Sequence, residues 1–187
     1  MVTVTGRTAS FAQVILVAGL CVLLASASFA KSAVLEAFEG AYAGSAEVTS
    51  SDGTKRMRDM SVEITVTREG FNVAWSTTSY RADGSANEKS YEVEFVPSER
   101  DGVYSAAMER NVFGHEVQLD PMQGEPFVWA RIQNGTMTVF SLFVDDAGGY
   151  EIQQFDRTLT DGGLTLDFQA VRNGERTRTI TTFLEKQ

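Results

Sequence analysis

The chain has 187 residues, 43% of them hydrophobic, with 16 basic against 25 acidic residues and a formal charge of −9. That balance repels phosphate, so no nucleic-acid partner is expected and anionic membrane surfaces are poor partners, since binding to either rests on a basic patch. One histidine and one cysteine leave no material for the usual zinc, haem or iron–sulfur ligand sets, and no metal or cofactor is expected.

The first element is an export leader over residues 1–30: a lone Arg7, the apolar run Val14–Leu24, then Ala-Ser-Ala-Ser-Phe-Ala ending at Ala30. The run is too short to span a bilayer, and Ser28 and Ala30 place small residues where a signal peptidase needs them, which predicts cleavage before Lys31. Cys21 lies inside the run and leaves with it. Leu20 just before it and hydrophobic chain after it argue against lipidation. The leader holds one of the 16 bases and no acid, so residues 31–187 carry a formal charge of −10. They read as one domain, long enough to bury roughly 70% of its unfolded surface without staples. An exported domain without cysteine points to the bacterial periplasm, or to secretion.

Ser32–Phe38 carries Val34, Leu35 and Phe38 at helical spacing, which predicts a short helix able to plug one end of a barrel. Turn pairs then recur at Asp52-Gly53, Glu69-Gly70, Asp83-Gly84, Asp101-Gly102, Asn134-Gly135, Gly148-Gly149, Gly162-Gly163 and Asn173-Gly174. Alternating stretches between them predict ten strands: 41–50, 56–67, 71–80, 88–96, 103–108, 127–133, 136–144, 149–159, 164–171 and 177–185. Long strands joined by tight turns make an antiparallel meander, and closure removes its edges. The expected fold is an all-β, up-and-down antiparallel barrel of about ten strands, ahead of an immunoglobulin-like sandwich. The polar face of Ser61, Glu63, Thr65 and Thr67, or of Ser90, Glu92 and Glu94, does not suit lipid, so an outer-membrane barrel is excluded. Glu109–Pro126 is long for a connection and reads either as surface packing or as a lid or portal.

Gly40-Ala41-Tyr42 opens the first strand after the short helix, and Arg176 and Arg178 stand on the last strand. This pattern resembles the calycin group, the lipocalins and fatty-acid-binding proteins. Lipocalins open with Gly-x-Trp and pack that Trp under an Arg from near the end of the barrel; Tyr42 stands in place of the Trp. The resemblance implies a barrel with an interior cavity, open at one end, for a small apolar molecule.

No catalytic residue is assigned. His115 sits in a mid-chain loop, and no Gly-x-Ser-x-Gly elbow surrounds a serine. Asp145-Asp146-Ala147-Gly148-Gly149 lacks the alternating ligands and closing Glu of a calcium loop and reads as a hairpin turn. Asn134-Gly135-Thr136 fits a glycosylation sequon but reads better as a two-residue turn. The aromatics carry more. Phe71, Val73 and Trp75 share a face, as do Tyr91, Val93 and Phe95, and Leu164, Leu166 and Phe168; each set should point inward, as filled core or as the lining of a cavity. If Ile180, Thr182 and Leu184 also face inward, the same parity carries Arg178 and Arg176 inside or to the mouth. An inward arginine needs an anion, either an internal acid such as Asp156, placed on the face of Tyr150 and Ile152, or the carboxylate of a ligand. The candidate ligand-binding residues are therefore Trp75, Tyr91, Phe95, Phe168 and Arg178. Thr136–Val144 is apolar on both faces, with Met137, Val139 and Phe143 on one and Phe140, Leu142 and Val144 on the other. Its cover is the helix, the long loop or a second copy, which makes a homodimer a live expectation.

The expected function is non-enzymatic binding or carriage of a small apolar or amphipathic ligand in the periplasm. A filled barrel that scaffolds envelope protein contacts is second. A hydrolase is third, because it would need clustered carboxylates or His115 in a pocket.

Overall fold

The computed structural model describes residues 33–49, 55–81, 83–110, 116–117 and 119–187. The expected leader, Cys21 and His115 lie outside the described residues. Residues 33–36 form one helical turn.

Phe38–Gln187 form the second unit. Its strands are β1 (Gly40–Thr49), β2 (Lys55–Val66), β3 (Phe71–Tyr80), β4 (Ala86–Pro97), β5 (Val103–Ala106), β6 (Glu109–Arg110), β7 (Glu116–Val117), β8 (Phe127–Gln133), β9 (Thr136–Val144), β10 (Tyr150–Thr160), β11 (Gly163–Arg172) and β12 (Glu175–Lys186). Ten of them close into an all-antiparallel barrel in the order β1-β12-β11-β10-β9-β8-β5-β4-β3-β2, while β6 and β7 pair as a separate two-stranded ribbon. Around the ring every strand neighbours the next one in sequence, so the barrel is the expected up-and-down meander. Among the described residues no helix is long and apolar enough to cross a membrane.

The turn chemistry sets this register. Asn134 and Gly135 have φ of 52° and 73°, and Asn173 and Gly174 have 49° and 86°. Two successive positive φ values make the hairpin turn whose twist matches that of its flanking strands. Strand alternation then decides which face is buried. On β2 Met60, Val62 and Ile64 are buried, while Asp59, Ser61 and Glu63 are exposed. Because directly opposed residues of an antiparallel pair share a face, the inward set can be followed from β2 through Val73 and Trp75 to Val93 and Tyr91.

The ring closes where β1 meets β12, with Tyr42 opposite Lys186 and Ala43 opposite Glu185. Gly44 is required at this seam, since a Cβ there would collide with the Phe183 carbonyl oxygen. Tyr42 is buried, donates its hydroxyl to the Phe38 carbonyl at 2.9 Å, and has the Lys186 ammonium 5.6 Å from its ring centroid. The cation over the first-strand aromatic is therefore Lys186, not Arg176 or Arg178.

One end of the barrel is solid. Phe71 stacks on Phe95 at 5.1 Å and meets Tyr104 edge-on at 4.9 Å. Val73, Ala130, Met137, Val139 and Leu164 complete this end, each with no exposed surface.

Strand β9 divides as expected. Met137 and Val139 face the interior with Ser141 and Phe143, whereas Phe140 points outward and stacks on Trp129 at 4.8 Å.

Candidate ligand cavity

Toward the other end the inward positions become small or polar, with Gly44, Ala46, Thr77, Ser79, Ser141 and Ala170 among them. Side chains of that size do not reach the axis of a ten-stranded ring, and a cavity of about 600 Å³ lies between them. Strand β5 stops at Ala106, so above that level the wall between β4 and β8 has no registered strand among the described residues. Leu119 and Pro126, from the segment joining β5 to β8, line the cavity as well.

A belt of aromatic rings crosses the lumen. Tyr91 stacks on Trp75 at 5.4 Å, Trp75 meets Phe155 at 5.6 Å, and Phe155 meets Phe168 at 4.7 Å. Trp75 on β3 and Phe155 on β10 are diametrically opposed in the ring, so this contact bridges the barrel and limits the cavity's depth. Of the candidates read from sequence, Trp75, Tyr91, Phe168 and Arg178 all line the cavity. Phe95 does not; it is fully buried in the solid end against Phe71.

The charged wall differs from its reading in sequence. Arg178 faces inward opposite Ala170, with its guanidinium 5.7 Å from the Phe168 ring centroid. Arg176 does not share that face. The ladder shifts between Ala170 and Val171, leaving Thr177 as an extra residue and Arg176 opposite the outward Val171. A bulge reverses strand parity beyond it. Asp156 is also outward: its carboxylate accepts hydrogen bonds from the Thr138 hydroxyl and the Gln154 amide, each at 2.6 Å. It is not the counter-ion of Arg178.

The inward face of β10 is instead Glu151, Gln153, Phe155 and Arg157, with Arg157 opposite Met137 and Leu166. Arg157 is 2% exposed and is the largest fully buried side chain among the described residues. Its guanidinium lies 5.8 Å from the centroid of Trp75 and 5.4 Å from that of Phe155, while Nε and Nη1 have no hydrogen-bond partner. Burial pushes its pKa down to about 10, opposed by the nearby Asp156 charge, so it is cationic at neutral pH. Across the cavity, Arg58 is half-buried on β2 with its Nε unpartnered. Burial is the main cause of its lowered pKa, followed by the charges of Arg178 and Arg56.

Sequence parity missed Arg157 because the apolar Tyr150 and Ile152 mark the outward face of this strand. The register of the Gly162-Gly163 hairpin was the available signal. Once Leu164, Leu166 and Phe168 are inward, Phe155 and Arg157 must be inward too.

Among the described residues no group of three or more His, Cys, Asp or Glu is arranged to hold a metal. A scan against protein-family models and a search of curated proteins each found no match to this chain.

Proposed function

We propose that this protein is an exported, non-enzymatic binder of a small amphipathic molecule, held in the open half of its barrel after cleavage before Lys31 and release into the periplasm. One observation carries the reading: the same strands that fill one end solidly leave about 600 Å³ at the other, walled by an aromatic belt. A scaffold has no use for that space, whereas concave, mostly apolar cavities with a few polar groups are where small ligands bind. The calycin resemblance supports the same conclusion, with Tyr42 beneath Lys186 in the role of the lipocalin Trp beneath its Arg. The likeness is one of plan, because lipocalins close with eight strands and this ring has ten.

Native mass spectrometry of the protein purified from the periplasm without denaturation tests this reading. The expected species is the chain beginning at Lys31 with a lipid-sized mass bound, released by organic solvent. A ligand-free mass, together with unchanged Trp75 fluorescence when a Trp129→Phe variant is titrated with long-chain alcohols and acids, would overturn it. A ligand-free dimer would favour the scaffold.

A further inference from the structure

We propose that the ligand carries two acidic groups joined by an apolar body, one seated on Arg157 at the inner end of the cavity and the other between Arg58 and Arg178 nearer its mouth. This rests on the carrier reading above and specifies the chemistry of that site.

Three buried side-chain nitrogens lack a hydrogen-bond partner among the described residues: Arg58 Nε, Arg157 Nε and Arg157 Nη1. All three belong to walls of the one cavity. Leaving a buried donor unmet is costly, and a buried cation more so, which is why such groups are normally paired. These are not. The ion pairs Lys55–Glu47 and Arg172–Asp145 involve none of the three cavity arginines. The one inward carboxylate on this wall, Glu151, accepts from the Gln153 amide at 2.7 Å. The cavity wall therefore holds Arg58, Lys89, Arg157 and Arg178 against two acids, Glu151 and Glu92, and Glu92 already accepts from the Asn72 amide at 2.9 Å. In a chain with nine more acids than bases, that concentration of positive charge is local to the lumen.

The cations lie at two levels. Arg178 pairs with Ala170, in the row of Gln153, which is four residues along β10 from Arg157. Arg58 is likewise four residues along β2 from Val62, the partner of Trp75, whose ring lies beside the Arg157 guanidinium. Four strand residues correspond to roughly 13 Å along the wall. Trp75, Phe155 and Phe168 occupy the interval. Arg58 and Arg178 repel one another across their level, and an acidic group placed between them relieves that repulsion. A guanidinium offers planar paired donors that suit a carboxylate, and a charge-assisted bond formed away from water is stronger than a neutral one. One acid satisfies Arg157 and leaves the upper level unbalanced; a second acid at the far end of an apolar chain answers both.

Calorimetric titration of the protein, stripped of any co-purified molecule, with dodecanedioate, dodecanoate and dodecanol decides the matter. The diacid should bind roughly tenfold or more tightly than the monoacid, and the monoacid more tightly than the alcohol. Arg157→Met should weaken both acids, and Arg58→Gln with Arg178→Gln should bring the diacid-to-monoacid ratio toward one. Arg157→Lys keeps the charge but loses the planar donors, so it should also weaken both acids and serves where Arg157→Met does not fold. If all three probes bind and the diacid is no tighter than the monoacid, the two-anion inference falls and the carrier reading stands. If none of the three binds, both fall.

Discussion

The two ends of the barrel are made from the same strands and differ in what those strands direct inward. At the closed end β3, β4 and β5 contribute Phe71, Phe95 and Tyr104, whose rings pack on one another inside the barrel. At the open end the same β3 contributes Thr77 and Ser79, β2 contributes Arg58, and β10 contributes Gln153 and Glu151. The first set supplies the apolar burial that holds the ring shut. The second leaves space, donors and unbalanced positive charge. A barrel with one filled end can keep the other unfilled, and the Trp75–Phe155 bridge marks the boundary between them.

Truncating a ring at each end should break the comparison most sharply if it is false. Phe71→Ala removes a fully buried ring from a site with no room to collapse, and should cost about 3–5 kcal/mol, a drop of roughly 10 °C in Tm. Phe168→Ala, on the cavity wall, removes a ring that already faces space on one side and should cost about half as much. Urea unfolding of both variants measures the difference. Equal losses would mean that the cavity wall is core like the rest.

The closed end was legible in the sequence and the open end was not, for one physical reason. Parity is read from apolar residues, and on the strands that fill the closed end these mark the inward face: Phe71 and Val73, Ile64 and Val62, Leu164 and Leu166. The strands, their order and their turns follow from that alternation and from Asn-Gly and Gly-Gly pairs that accept positive φ. Near the mouth the inward face is polar, so the same rule points the wrong way. On β10 it chose Tyr150 and Ile152, placed Asp156 indoors and hid Arg157. On β12 the parity was right for Arg178 and failed at Arg176, because an inserted residue such as Thr177 leaves no mark in composition. Phe95 was correctly turned inward, but its pairing opposite Phe71 sets it in the solid end rather than on the cavity wall.

Arg157 should behave unlike any other large buried side chain, since its burial opposes folding. It is cationic below about pH 10, and its lowered pKa corresponds to a penalty on the order of 3 kcal/mol, partly offset by the rings of Trp75 and Phe155. Replacing an unpaired buried charge by an apolar side chain of similar volume removes that penalty. Arg157→Met is expected to stabilise the ligand-free protein by about 1–3 kcal/mol, while Phe71→Ala destabilises it. The sign of the pH dependence follows. Between about pH 10 and the higher, ordinary arginine value the unfolded chain binds more protons at this site than the folded one, so the native protein gains stability as pH rises through that window. The Met variant lacks this gain. Its advantage should be constant below pH 10 and shrink above it, as read from the difference between the two denaturation curves. A destabilised variant would show that Arg157 has a partner and belongs to the closed end's logic.

Tyr91 gives the smallest effect on stability and the finest test of where the cavity wall begins. It is 49% exposed and its main contact is the stacked Trp75 ring. Tyr91→Ser should therefore cost at most about 1 kcal/mol, within the range of a single aromatic pair and below what truncation at the closed end costs. Its effect on binding should be disproportionate, because it uncovers one face of a ring against which an apolar ligand body would lie. In a Trp129→Phe background, Trp75 is the reporter: its emission should shift to the red in the ligand-free variant, and the affinity for dodecanoate should fall several-fold. Loss of affinity with little loss of stability places Tyr91 on the ligand's side of the boundary. Loss of both in proportion would make it an outlying piece of core, and would move the edge of the closed end up to the mouth.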